Sequence, residues 1–277
     1  MFRRFSLTRR EGDAVTGTSE AGRGPVKSAE RTVQIMEVLA ASPERLTLGR
    51  LQELTGYPRS SLYALLRTLV ALKWIEVEES GEAAGFGIGP RALLCGTAYL
   101  DRDPALPHAV RRIEQLRADV GYTTHYARLD GSNVIYLATR EATDSRRLTS
   151  RVGRRLPAHA TALGKALLSE LTAREVDALL PEQPLEALTP HTVTRRPALR
   201  EELEQTRTRG WALESEQNTP GLCCVAATVS YRIPATDAIS CSIPLDHATD
   251  QEIERVAEAV TRHAAALAGT LRRNGIR

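Results

Sequence analysis

Apolar residues recur at helical spacing in two neighbouring stretches between Thr47 and Val70. Leu48, Leu51 and Leu54 mark the first; Gly56 interrupts it, Pro58 restarts the pattern, and Leu62, Leu65, Leu66 and Leu69 carry a second stripe. The spacing predicts two short helices joined by a tight turn, which is helix-turn-helix spacing, although an ordinary packed helix pair would share it. Arg59, Ser60, Ser61, Tyr63, Ala64 and Arg67 fall off the leucine stripe, leaving polar groups on a face that a DNA major groove accepts. Trp74, Ile75, Glu76 and Val77 then alternate as a strand. A polar turn over residues 78–84 follows, and Phe86, Gly87 and Ile88 resume the alternation before Gly89 and Pro90 end it. Upstream, Ser28 is placed to cap a helix whose Val33, Ile35, Met36, Val38 and Leu39 cover the other two. Helix, helix-turn-helix and hairpin wing together predict a winged helix-turn-helix domain over residues 26–89.

The pattern changes after Pro90. Leu93, Leu94, Ala98 and Leu100 predict a linker helix within 90–103, and Val110, Ile113, Leu116 and Val120 open a second domain over 104–277. Strands are expected at 123–129 and 133–139 around an Asp130-Gly131-Ser132 turn, and again at 211–213, 225–230 and 238–242. Capping signals place helices between them. Thr161 precedes a helix over 162–171, Thr172 has Glu175 three residues on, Thr249 with Glu252 opens a C-terminal helix to about Leu271, and Gly210 stops a helix over 195–209. Strands interleaved with helices make this part an α+β domain.

Composition narrows the classes. The chain has 277 residues, 42% hydrophobic and only 4% aromatic, enough for two aliphatic cores. A formal net charge of +3 does not by itself point to nucleic acid. The argument is local: Arg45, Arg50, Arg59 and Arg67 lie in or beside the helix-turn-helix, where phosphate contacts supply affinity and base contacts specificity. The acidic wing turn is expected to stay clear of phosphate. Residues 1–25 are rich in Arg, Gly, Ser and Thr, without a signal-peptide core or a periodic face, and are expected to be a disordered tail. No run approaches the ~20 apolar residues of a membrane span, so a cytoplasmic protein without membrane partners is expected. Cys95, Cys223, Cys224 and Cys241 lack C-x-x-C spacing and read as small buried hydrophobes, a thiol switch being the alternative.

Nothing in the chain favours catalysis, a metal or a cofactor. Gly164-Lys165 resembles the end of a phosphate-binding loop, but His159 stands where that loop needs Gly, and Ala166 where it needs Ser or Thr. There is no G-x-S-x-G elbow, and His125, His159 and His191 lack ligand spacing.

The runs SAER at 28–31, GYPRSSLY at 56–63, GPR at 89–91 and above all GRRLPAHATALGKA at 153–166 resemble the isocitrate-lyase-regulator (IclR) family of bacterial transcription factors. The resemblance runs from about Val26 to the C-terminus. It implies a ligand-responsive regulator with a GAF-like α/β effector-binding domain, assembling as a homodimer or homotetramer on palindromic double-stranded operator DNA, more often as a repressor than as an activator. Candidate DNA-binding residues are Arg45, Arg50, Arg59, Ser60, Ser61, Tyr63 and Arg67. The start of the helix after Thr161 offers backbone N–H groups to a carboxylate, making Thr161, Ala162 and Leu163 candidates for the effector. Resemblance completes that pocket with Glu214, the Leu222 to Cys224 segment, and Ser240 and Ser242. An acceptor at Glu214 beside a carboxylate site suits a hydroxylated or keto monocarboxylate such as a sugar acid. Three departures modify the expectation. Ala64 stands where the family commonly has Arg, Gly87 where the wing often carries a basic residue, and Leu163, where small residues are common, narrows the pocket.

Overall fold

The computed structural model describes residues 26–80, 83–142, 152–180 and 184–277. The expected tail over 1–25 lies outside the described residues. The chain forms two compact units that divide between Leu94 and Cys95.

The first unit holds α1 (Lys27–Ala41), β1 (Leu46–Thr47), α2 (Leu48–Thr55), α3 (Arg59–Ala71), β2 (Ile75–Ser80) and β3 (Ala83–Ile88), and in it begins α4 (Pro90–Asp101). Its core is aliphatic, with Ile35, Leu39, Leu51, Leu62, Leu66, Leu69 and Ile75 buried together with Phe86. Thr47 caps α2 by accepting from Arg50 N–H, and Gly56 takes the left-handed φ of +68° that lets the chain turn into α3. Several local expectations shift. Val26, not Ser28, is the N-cap of α1; Ser28 lies inside the helix, where its carbonyl accepts from Thr32 Oγ1. Val33 and Leu54 are exposed, because each falls outside the arc that meets the neighbouring helices. The expected turn over 78–84 is shorter, since cross-strand pairs Glu78 with Gly85 and Glu79 with Ala84 extend both wing strands. β1 pairs with β3 and adds a third strand to the wing.

The second unit contains α5 (Leu106–Val120), β4 (Thr123–Asp130), β5 (Asn133–Arg140), β6 (Arg155–Pro157), α6 (Ala162–Ser169), α7 (Ala173–Leu179), α8 (Arg196–Arg209), β7 (Ala212–Ser215), β8 (Leu222–Thr228), β9 (Asp237–Pro244) and α9 (Asp250–Arg273). Six strands form one antiparallel sheet in the order β6-β5-β4-β9-β8-β7. Its two faces differ. On one, Tyr126, Val225, Ile239, Cys241 and Ile243 pack against α5 and α9. On the other, Ala127, Tyr136, Ala226 and Ala238 pack with Leu163, Leu167, Leu199 and Leu203 of α6 and α8. Strand alternation therefore turns Ser240 and Ser242 toward the α6 side. The capping box of Thr172 and Glu175 is present, Thr249 caps α9, and Gly210 closes α8 at φ +82°. α6 stops at Ser169 rather than continuing to 171.

Candidate functional site

α3 opens with Pro58 as its N-cap, which offers no side-chain acceptor, and Leu62 N–H is the first to find a helical partner, at the Pro58 carbonyl (3.0 Å). The N–H groups of Arg59, Ser60 and Ser61 thus sit at the positive end of the helix, where a phosphate binds favourably. Arg59, Ser60, Tyr63 and Arg67 are exposed along this helix, with Tyr63 54% accessible. Ser61 is half-buried and accepts from Arg31 Nη1 of α1 (3.3 Å). Arg31 also lies over the Tyr57 ring at 4.9 Å, and the Tyr57 hydroxyl bonds Gln34. This cation at the start of α3 was not legible locally, because it comes from a helix about thirty residues upstream in the chain.

The remaining arginines are engaged elsewhere. Arg50 pairs with Glu53 along α2 (2.8 Å). Arg45 lies across Gly85 and Gly87 of β3 and pairs with Glu78 (2.9 Å) and Glu76 (3.5 Å) of β2. A Cβ at Gly85 would stand 3.0 Å from that of Arg45. Glycine at positions 85 and 87 therefore makes room for a cation contributed by the segment before β1.

In the second unit, Thr161, Ala162, Leu163, Glu214, Leu222, Cys224, Ser240 and Ser242 line one cavity together with Tyr136, Asn218 and Thr219. It measures about 10 Å³, room for about one water molecule. One wall is the first turn of α6. Thr161 Oγ1 accepts from Gly164 N–H (3.0 Å) and the Thr161 carbonyl from Lys165 N–H (2.9 Å), which leaves the amides of Ala162 and Leu163 without a partner inside the helix. Gly164 fixes the position of this turn: a Cβ there would lie 2.1 Å from the Ala158 carbonyl oxygen. His159 anchors the same approach through Nε2 and the Glu186 carbonyl (2.9 Å).

The opposite wall carries a carboxyl group. Burial raises Glu214 above the ordinary carboxyl range, against the Cys224 thiol and the N–H groups of Gln217 and Asn218 that bond it. Gln217 donates its N–H to Glu214 Oε2 (2.9 Å) and its side-chain amide to Glu202 Oε1 (2.9 Å), while accepting from Lys165 Nζ (2.6 Å). Lys165 is fully buried and pairs with Glu202 at 2.6 Å. Burial lowers its pKa, and the Glu202 carboxylate opposes that shift. A lysine that sequence showed in a failed phosphate loop and in the family-like run over 153–166 thus ties α6 to α8 and to the segment after β7 behind the cavity. Ser242 Oγ meets Cys224 Sγ at 3.4 Å and His125 Nε2 at 3.3 Å, extending the polar wall into β4. Of the neighbouring cysteines, Cys224 faces the cavity, whereas Cys223 lies buried with its thiol pushed up to about 11 by desolvation. All four cysteines are free.

Among the described residues, no group of three or more His, Cys, Asp or Glu is arranged to hold a metal, and no helix is long and apolar enough to cross a membrane. The sequence matches two family models, the IclR helix-turn-helix domain over residues 28–79 and the bacterial transcriptional regulator IclR C-terminal domain over 97–268. The chain belongs to the IclR family. It is 32% identical to the HTH-type transcriptional regulator XynR of Escherichia coli, over 89% of this chain and 97% of that protein. It is 31% identical to the acetate operon repressor of Salmonella typhimurium, over 87% and 88% respectively. An IclR regulator from Alicyclobacillus acidocaldarius shares the fold with a TM-score of 0.74 at 22% identity, covering 88% of this chain and 98% of its own. An IclR homologue from Microbacterium hydrocarbonoxydans, solved with 4-hydroxybenzoate, matches with a TM-score of 0.69 at 22% identity, over 89% and 99%.

Like its IclR relatives, this chain is a DNA-binding transcriptional regulator and not an enzyme. The lysine, glutamate and glutamine behind the cavity therefore need no catalytic explanation; they set the position and charge of its walls.

Proposed function

We propose that this IclR regulator represses a catabolic operon and is controlled by a small hydroxy- or keto-monocarboxylate. Two copies present their α3 helices to successive major grooves of a pseudo-palindromic operator, about one turn or ~34 Å apart, within a homodimer or homotetramer. Arg59 and Arg67 contact bases or phosphates, Ser60 and Tyr63 lie between them, and Ser61 is positioned by Arg31. Arg50 and Arg45 add backbone attraction at the flanks.

The observation that carries the effector half is the convergence, at one cavity, of two helix amides without an intrahelical partner, a buried carboxyl and two serine hydroxyls. The amides suit a carboxylate, and the acceptors on the facing wall suit an adjacent hydroxyl or keto group. A second acid group would meet Glu214, which discourages it. The relatives named as repressors support the sign of regulation, and the 4-hydroxybenzoate held by the Microbacterium homologue is itself a hydroxylated monocarboxylate. With room for about one water, the cavity must widen to admit an acid. A ligand that binds the widened form more tightly shifts the population toward it, and regulation requires only that this form holds DNA differently.

The test is a thermal-shift panel on the full chain followed by promoter occupancy and transcript level. Stabilisation by hydroxy and keto acids, with loss of occupancy and a rise in transcript, is the expected result. Stabilisation by hydrophobic aromatics alone overturns the effector class, and a fall in transcript on loss of occupancy makes the protein an activator.

A further inference from the structure

The exposed side of α3 divides into a line that faces outward and two flanks. Leu62, Leu66 and Leu69 bury one side of the helix, and at ~100° per residue the direction opposite them falls on Ser60, Ala64 and Ala71. All three are exposed. Arg67 lies about 50° to one side of that line, with Tyr63 about 90° and Arg59 about 130° round on the same side. Thr68 lies about 50° to the other side and commits its hydroxyl proton to the Ala64 carbonyl (3.0 Å).

A helix ~10–12 Å across nearly fills a major groove ~12 Å wide, so the outermost line meets base edges while the flanks meet the phosphate walls. Here that line is made of small side chains, which lets the helix backbone come close to the groove floor. α3 contains no Asp, Glu, Asn or Gln, and therefore offers no acceptor for the cytosine amino group and no two-point partner for adenine. Its base-selective chemistry is a guanidinium for guanine N7 and O6 and a methyl for the thymine methyl. Of the two arginines, Arg67 is the one close to the outermost line. Arg59 sits on the flank in the first turn, beside the N–H groups of Ser60 and Ser61 at the positive end of the helix, which is phosphate chemistry.

We propose that Arg67 reads a guanine, that Ala64 reads the methyl of a thymine, and that Arg59 holds the DNA backbone without reading sequence. Three residues advance ~4.5 Å along the helix, so the two bases lie one or two base pairs apart at ~3.4 Å per step. Each half-site thus contains a G·C and a T·A pair at that spacing. This rests on α3 as the reading helix and adds which side chain reads which base.

Selection of the full chain on a pool of random duplexes, followed by anisotropy titration of the selected duplex and its base analogues, tests the assignment. A guanine one or two base pairs from a thymine is the expected common element. Arg67→Ala should lower affinity for the selected duplex by roughly 5–150-fold and lose the preference for that guanine. Arg59→Ala should weaken selected and random duplexes by the same factor and flatten the log–log salt dependence by about one. Replacing the thymine by deoxyuridine, which removes only its methyl, should cost wild type about fourfold and Ala64→Gly nothing. Should the glycine variant melt early, Ala64→Asn decides instead, since asparagine there should move the choice at that pair from thymine to adenine. Equal binding of thymine and deoxyuridine duplexes by wild type, or base preference lost in Arg59→Ala and kept in Arg67→Ala, overturns the assignment and leaves α3 as the reading helix. Failure of selection to enrich any sequence removes that reading and the assignment with it.

Discussion

Gly164→Ala is the perturbation whose outcome follows most directly from the packing. The added Cβ would lie 2.1 Å from the Ala158 carbonyl oxygen, 2.3 Å from its Cα and 2.5 Å from its carbonyl carbon, so a backbone and not a flexible side chain has to give. Restoring ordinary contact at 3.4 Å requires a displacement of about 1.3 Å, the difference from 2.1 Å. Overpacking of this kind costs about 1–3 kcal/mol or more, and the better helix propensity of alanine returns up to ~1 kcal/mol. A net loss of about 2 kcal/mol corresponds to a fall of roughly 4–8 °C in the melting temperature of a domain this size. Differential scanning calorimetry reads the fall in the transition of the second unit. Because the displaced turn carries the amides of Ala162 and Leu163, acid affinity should drop by about tenfold or more in the same variant. Stability within about 1 °C of wild type together with unchanged acid binding would refute the claim that this close approach positions α6.

Other residues give equally definite expectations. Asp237 is fully buried, accepts from Tyr126 (2.6 Å) and Tyr231 (2.5 Å), and pairs with Arg128 at 2.6 Å; Arg128 keeps Asp103 at 2.7 Å when Asp237 is neutralised, so Asp237→Asn should cost about 1.5–3 kcal/mol through the lost charged hydrogen bonds, seen in urea melts. Burial pushes its carboxyl up, but Arg128 and the tyrosines hold it below the ordinary range. Its contribution is therefore complete above the usual Asp pKa and lost as pH falls through the lowered one, so the gap between variant and wild type should close in acid. Glu214 shifts the other way, raised by desolvation. Its contribution is complete below the ordinary Glu pKa and lost as pH rises through the raised one, so Glu214→Gln should gain on wild type in melting temperature as pH rises above the ordinary Glu range. Arg45→Ala should weaken operator binding less than Arg67→Ala, since two wing carboxylates already engage Arg45; a larger loss by titration would make Arg45 a principal DNA contact and not a flanking one.

Much of the first unit was legible because its signals are local. The leucine stripes, the glycine turn and the alternating wing strands each depend on neighbours within a few residues. The same holds for the capping threonines at 161, 172 and 249, whose acceptors serve amides three residues on. What sequence missed depends on distant partners. β1 is two residues long and exists only through pairing with β3, and β6, of three residues, exists through pairing with β5. Apolar spacing did not distinguish exposed Val33 and Leu54 from buried Ile35 and Leu51, since period alone does not fix how wide a buried arc is. In the cavity, the eight residues expected from helix chemistry and resemblance do meet, but Tyr136, Asn218 and Thr219 join them from elements with no local mark. His125 carried a faint signal, an imidazole on the same strand face as Ala127, and its meaning appears only with Ser242 beside it.

We propose that α3 reads an operator under the control of an acid-binding domain. Fluorescence anisotropy with a duplex from the protein's own upstream region, against a shuffled duplex of equal length and at fixed salt, tests it most directly. Selective binding of the native duplex and release by a hydroxy or keto monocarboxylate are the expected results, with a loss of about 1–3 kcal/mol, or roughly 5–150-fold, in each of Arg59→Ala and Arg67→Ala. Equal affinity for the two duplexes with and without acids, or full operator affinity in both arginine variants, would contradict it.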